Sequence, residues 1–277
     1  MADAKSAFHG LMRTVQDGTV LKPLLHSYLY EAVWPEDFSI DFKKGSSRRD
    51  PDGWFHPSEH PNWPARMLWF YLTQPDKLVP EEFAYMNTLS VTIGSAMHGF
   101  IETCLKHMGL LLTPDELRAE GFEVNPINGE PVSKDEATGS KGHKDGVLRI
   151  HLPAAPHRKL HLFEFKTSND RKLSKIEDLD LMAFIETWPD YYAQAQEYLR
   201  MTGYDYSIVL FMAMGYPWEM REFHIPANPQ YQADTAAKYL YVRQSVETGI
   251  MPPPCCSPRS KESRQCPARH VCPVGQI

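Results

Sequence analysis

Two short alternating runs, residues 147–152 and 160–165, constrain the fold of this chain more than any other feature. In each, apolar side chains recur at every second position, which is the period of a strand. Residues two apart on a strand face the same side. Glu164 and Lys166 therefore share a face, and Phe165 between them points into the core. Asp145 stands just before the first run, inside Gly142-His143-Lys144-Asp145-Gly146. If the two strands pair, Asp145 comes within reach of Glu164. Two carboxylates and an ammonium at one sheet edge form a site for a hard cation with a proton donor beside it.

The remaining pattern surrounds these strands with helices. Residues 1–50 predict one or two helices and then a loop at Lys43 to Arg49. Pro51, Pro57, Pro61 and Pro64 exclude a long helix across 51–64. A short buried helix is predicted over 65–72, and a longer one over 91–108, capped by Thr88 or Ser90 and ended by Gly109. Residues 113–142 read as a helical turn at Pro114, a strand near 122–124, and polar loop. The charge-rich residues 170–190 are predicted to lie at the surface. A helix over 191–201 ends at Gly203, and a continuous apolar strand over 206–214 is predicted to be buried on both faces. A hairpin partner over 218–225 and a helix over 231–248 complete the pattern. The expected class is α/β, a central mixed sheet flanked by helices. The expected division is 1–90 as a helical N-terminal region, 91–250 as the core and 251–277 as a cysteine-bearing tail.

Composition narrows the function classes. The chain has 277 residues, 42% hydrophobic and 23% charged, as in a soluble globular protein. No apolar run approaches the roughly 20 residues that span a bilayer. Met1 to Ser6 lack the hydrophobic core of a signal peptide. The expected location is the cytoplasm, with no membrane partner. The net charge of −6 and pI near 6.1 do not announce a nucleic-acid binder. Basic residues are bunched locally, however: Lys141, His143, Lys144 and Arg149 near the first acid, and Lys166, Arg171, Lys172 and Lys175 after the second.

Two helical spacings add candidates. Gly94 and His98 are four apart and share a helix face, so the glycine would admit close approach to the sheet while His98 points inward. Gln194 and Tyr198 share a face of a later helix, and both can hydrogen-bond a phosphate or orient a lysine. Along the chain this gives GxxxH at 94–98, GxxD at 142–145, ExK at 164–166 and QxxxY at 194–198. This order resembles the RecB-like branch of the PD-(D/E)xK nuclease superfamily, over roughly residues 90–215. The resemblance implies a restriction-endonuclease-like core. It implies that Asp145, Glu164 and the backbone carbonyl of Phe165 hold Mg2+ or Mn2+, that His98 joins them, and that Lys166 positions the attacking water. It also implies that Gln194 and Tyr198 shape the site and contact DNA. From the bunched basic residues, Lys144, Arg171 and Lys172 are further candidates for contact with DNA.

Four of the five cysteines, Cys255, Cys256, Cys266 and Cys272, fall in the last 23 residues, which in a reducing cytosol argues for metal. The Cys266–Cys272 spacing resembles the end of the cysteine cluster in iron–sulfur RecB-like nucleases, including CRISPR-associated exonucleases. That cluster's upstream cysteine is missing here, and His60 or His56 stands near its place. Three thiolates and an imidazole suit Zn2+, whereas four thiolates suit either Zn2+ or a 4Fe-4S cluster. Adjacent cysteines are expected to diverge, and Cys104 is expected to be an ordinary buried residue.

The expected function is metal-dependent DNA exonuclease activity, on single strands or free ends, in recombination, repair or phage DNA metabolism. Trp54, Phe55, Trp63 and Trp69 are candidates for stacking on bases. No GxxxxGK[ST] run is present, so a helicase, recombinase or CRISPR-adaptation partner would supply the strands. Two rival readings stand beside this one: a structure-specific endonuclease or prespacer-trimming nuclease, and a non-catalytic DNA-binding scaffold. Homo-oligomerisation is left open.

Overall fold

A computed structural model describes residues 18–31, 52–78, 85–215 and 218–273. The loop expected at Lys43 to Arg49 lies outside the described residues, as do residues 1–17, 32–51 and 79–84 of the expected N-terminal helical region.

The helices are α1 (Leu21–Glu31), α2 (Ala65–Thr73), α3 (Tyr85–His107) and α4 (Pro114–Ala119), followed after five strands by α5 (Asp170–Leu173), α6 (Leu181–Thr187), α7 (Pro189–Thr202), α8 (Pro229–Thr248) and α9 (Lys261–Gln265). The strands are β1 (Glu123–Val124), β2 (Pro131–Asp135), β3 (Ser140–His143), β4 (Gly146–Arg149), β5 (Leu160–Ser168), β6 (Tyr206–Ala213) and β7 (Met220–Pro226). They form a three-stranded sheet in the order β1-β2-β3 and a four-stranded sheet in the order β4-β5-β6-β7. In the larger sheet β5 and β6 run parallel, and the two outer pairings are antiparallel. The parallel pair requires a crossover, which α5, α6 and α7 supply. The result is a mixed α/β architecture with sheets flanked by helices, consistent with a restriction-endonuclease-like core.

Alternation along the central strands builds both faces of the core. Phe163, Phe165, Ile208 and Leu210 pack with Leu21, Leu25, Ile101 and Leu105 of α1 and α3. Val209 and Phe211 face the other way, against Phe184, Trp188 and Ala195. Val147 and Leu162 share that second face with Tyr198 and Leu199 of α7. Cys104 is fully buried in the first cluster, as expected. No described helix is long and apolar enough to cross a membrane.

Three local expectations are corrected. The long helix α3 begins at Tyr85, so Thr88 and Ser90 lie inside it rather than at its cap; cap-forming residues are tolerated in a helix interior when the pattern continues. The expected polar loop before Gly142 holds the β2–β3 hairpin, where Val132, Ser133 and Ser140 are buried. The charge-rich stretch 170–190 is not merely surface. It buries Leu173, Ile176, Phe184 and Trp188 on the sheet.

Candidate metal centre

Register places the two acids. Gly146 pairs with Phe163, so Asp145 stands where β4 begins, opposite Glu164. Asp145 Oδ2 accepts the Phe165 amide N–H at 2.7 Å and lies 3.4 Å from His98 Nδ1. A strand residue sends its N–H and C=O from the same edge. The Phe165 carbonyl is therefore directed to the edge that β4 leaves open. Glu164 Oε2 accepts from Lys166 Nζ at 3.1 Å and from Gln194 Nε2 at 3.4 Å. Its other oxygen, Oε1, is buried with no hydrogen-bond partner.

The sequence explains how helices reach this edge. A Cβ on Gly94 would sit 3.1 Å from Thr167 Oγ1, so a glycine there lets α3 approach β5. One turn later His98 meets the Phe165 ring edge-on, with centroids 4.9 Å apart. From the opposite face, α7 brings Gln194 to Glu164 and the Tyr191 ring beneath Lys166 Nζ at 5.2 Å. Beside the acids lies a cleft of about 630 Å³ whose lining includes their neighbours His98 and Lys166, with Gly94, Ser95, Glu102 and Tyr191.

The electrostatics separate the two carboxyls. Burial alone would raise Asp145, but His98, Lys166 and the Phe165 amide outweigh it and hold the group down at about 2. Burial pushes Glu164 up to about 7 against the pull of Lys166, with the Asp145 charge adding to the rise. Burial would lower Lys166, but Glu164 and Asp145 outweigh it and keep the ammonium. His98 likewise rises despite burial, because Asp145 faces it. The residues present suit a divalent cation: a carboxylate oxygen of Glu164 is buried without a hydrogen-bond partner, and the neighbouring Asp145 carboxylate lies against the His98 imidazole.

Glu102, one turn beyond His98, was not singled out in the sequence. Its carboxylate, His98 and Asp145 offer ligand atoms all within 4.8 Å of one another. The signal was present, since the four-residue spacing that picked out His98 continues to Glu102.

Four of the residues expected to contact DNA are buried in this structure. Lys144 is 1% exposed; its Nζ donates to Ser133 Oγ and lies 5.1 Å from the Phe122 ring centroid and 5.2 Å from that of Tyr198. Burial takes this lysine down to about 7, and it cannot reach a phosphate. Gln194 is buried against Glu164 rather than presented to a ligand. Tyr198 is also buried, and its hydroxyl donates to the His143 carbonyl. Phe55 is fully buried and stacks on Tyr239 at 4.3 Å, so no base can stack on it. Arg171 and Lys172 are exposed, just beyond Ser168 and Asn169 of the cleft.

In the tail, Cys255, Cys256, Cys266 and Cys272 line one small cavity together with Arg66 and Phe70 of α2. The adjacent pair, expected to diverge, shares this cavity. Burial pushes the Cys255 thiol up to about 11, with Cys256 and Cys266 adding to the rise. His56 and His60 do not line the cavity. His60 Nδ1 accepts the His56 amide at 2.6 Å, and its ring packs on Trp63 and Tyr71. Four thiols therefore line the cavity, a donor type that would suit Zn2+ or a 4Fe-4S cluster.

No family model matches the chain, and no curated protein matches it. Among solved structures, the crystal structure of SSO0001 aligns with 93% of this chain and 98% of its own, at 16% identity and a TM-score of 0.40. The alkaline exonuclease LHK-Exo from Laribacter hongkongensis aligns with 72% of this chain and 90% of its own, at 14% identity and a TM-score of 0.35. The same enzyme in complex with dAMP gives 72%, 91%, 14% and 0.35. Likenesses this remote carry no argument about the chain, and the functional reading rests on the site itself.

Proposed function

We propose that this chain is a divalent-cation-dependent deoxyribonuclease of the RecB-like PD-(D/E)xK type that hydrolyses DNA from its ends. The observation carrying this reading is the convergence of Asp145, Glu164 and Lys166 on one strand edge, with a buried Glu164 oxygen left without a protein partner. Asp145, Glu164 and the Phe165 carbonyl would hold Mg2+ or Mn2+, with His98 beside them. A cation bound there lowers the pKa of water and neutralises charge on a phosphoryl group.

The side chains divide the remaining work. Lys166 keeps its proton and can donate to the attacking water or to a phosphate oxygen as charge develops. Gln194 and Lys166 both hold Glu164 Oε2, which fixes the carboxylate and leaves Oε1 directed elsewhere. Tyr198 holds the segment before Asp145 through the His143 carbonyl. Exposed Arg171 and Lys172 supply positive charge beyond the cleft for the backbone of a strand. Four tail thiols would hold a structural metal that fastens residues 251–277 to α2. Strand separation would come from a helicase or recombinase partner, in recombination, repair or phage DNA metabolism.

The test uses an end-labelled linear strand and a covalently closed circle, each with Mg2+ and with Mn2+. Degradation of the linear strand alone is the expected result. Rapid cutting of the circle defeats the end-dependent part and favours a structure-specific endonuclease. Lys166→Ala should abolish cleavage while DNA binding persists. Wild-type protein inert on every DNA form with both cations defeats the enzyme reading.

A further inference from the structure

We infer that Tyr191 is the positioning residue for Lys166, guiding the ammonium with the face of its ring. This inference rests on the hydrolase reading above and names the side chain of α7 that serves the lysine. The QxxxY spacing nominates Gln194 and Tyr198 for that task. Gln194 instead reaches Glu164, and the Tyr198 hydroxyl is committed to the His143 carbonyl.

One face of α7 meets both side chains of the ExK pair. Tyr191 and Gln194 stand three apart and share that face. Gln194 Nε2 lies 3.4 Å from Glu164 Oε2, and Lys166 Nζ lies 5.2 Å from the Tyr191 ring centroid. An ammonium within about 6 Å of an aromatic centroid is drawn to the ring face, and more strongly where water is excluded. The Lys166 side chain is only 16% exposed. The ring is itself supported. It packs on Phe211 with centroids 5.7 Å apart, and Phe211 stacks on Trp188 at 4.2 Å. Phe211 also stands opposite Lys166 in the β5–β6 register, so lysine and tyrosine rest on one strand pair.

A lysine needs such a guide. Its four-carbon stem has large rotamer freedom, and its charge is a point without directional shape. Among the described residues its hydrogen bond goes to Glu164 Oε2 at 3.1 Å. A divalent cation held by Glu164 would compete with the ammonium for that carboxylate. The ring face offers a hard cation no oxygen, so this contact is not part of the competition. Lys166 and Tyr191 line the same cleft, so an ammonium kept over the ring stays beside the space that would take a phosphate.

The test combines three measurements: single-turnover cleavage of an end-labelled linear strand with Mg2+, the dissociation constant of that strand with Mg2+ omitted, and the proton spectrum of Lys166. Tyr191→Leu keeps an apolar contact for Phe211 and removes the ring. It should cut about tenfold more slowly at saturating protein, while the dissociation constant moves by less than about twofold. Tyr191→Phe, which keeps the ring, should restore most of the rate. The Cε protons of Lys166, assigned by their loss in Lys166→Ala, should lie upfield in wild type because of the ring current. They should return to ordinary positions in Tyr191→Leu. Melting temperatures verify that each variant folds. Tyr191→Leu cleaving as wild type overturns the inference, as does Tyr191→Phe slowed as much as Tyr191→Leu, or a loss confined to the dissociation constant. Ordinary Cε shifts in wild type overturn it and leave the hydrolase reading standing. Wild type inert on every DNA form overturns both.

Discussion

Replacing Gly142 by alanine tests how the chain positions Asp145, the acid proposed to be catalytic. A Cβ there would lie 2.8 Å from Pro57 Cδ and 2.8 Å from Tyr198 Cε1. Carbon atoms rest at about 3.5–4.0 Å, so each ring must retreat by about 0.7 Å or more. Neither can swing away: Pro57 is cyclic and buried, and Tyr198 is pinned through its hydroxyl to the His143 carbonyl. Overpacking of this kind costs about 1–3 kcal/mol, and two stiff neighbours place this case at about 2–3. At about 2–4 °C per kcal/mol, the melting temperature should fall by about 4–12 °C. Asp145 lies three residues on, and a misplacement of about 1 Å in a catalytic group costs about a hundredfold in rate. Cleavage should therefore fall about 10- to 100-fold. Removing the ring as well, in Gly142→Ala/Tyr198→Ala, should cost less than the sum of the single changes by most of the overpacking energy. A Gly142→Ala protein that melts and cleaves as wild type refutes the argument, and strictly additive changes refute the assignment to Tyr198.

Glu222 anchors α1 from the far end of the sequence. It accepts the Val20 amide at 3.0 Å, the Lys22 amide at 2.7 Å and His224 Nε2 at 2.6 Å. Burial would raise its carboxyl, but the His224 contact and these amides outweigh it and hold it below the ordinary value. A depressed carboxyl stabilises the fold above its unfolded pKa and loses that contribution as pH falls through the folded value. Glu222→Gln should cost about 2–3 kcal/mol at pH 7 and flatten the loss of stability below about pH 4.3, read by urea unfolding across pH. An unchanged acid limb would dismiss this account. For the tail, metal analysis should find iron with sulfide or one zinc, and Cys266→Ser should lose it and melt about 5 °C lower or more. Metal-free wild type with normal stability would leave the tail without a structural metal.

The larger sheet was legible because its strands carry their own phase. Residues 160–165 alternate cleanly, and residues 206–213 form an unbroken apolar run, as a strand covered on both faces must. The β2–β3 hairpin was hidden for the opposite reason. Its residues are largely polar, since Ser133 and Ser140 are buried by hydrogen bonding to Lys144 and Thr138 rather than by apolar packing. Lys144 reads as part of a basic patch on the same ground. Its burial depends on Phe122 and Tyr198, 22 residues before it and 54 after it, a contact that no local pattern encodes.

The four motifs also sort by physical role once the distances are known. Gly94 and Gly142 contribute absence: each marks a place where a side chain would strike Thr167, or Pro57 and Tyr198. Within the QxxxY pair, spacing put both residues on one face of α7, yet only Gln194 touches the acids. Tyr198 instead occupies the room that Gly142 leaves and grips the adjacent His143 carbonyl. The glycine of one motif and the tyrosine of another are thus two halves of one contact, which sets where β3 ends and Asp145 begins. Shared helix faces can nominate site residues, but they cannot separate those that meet the ligand from those that hold the strand. The same rule carried one turn past His98 reaches Glu102, whose place beside Asp145 is set by how closely Gly94 lets α3 approach the sheet.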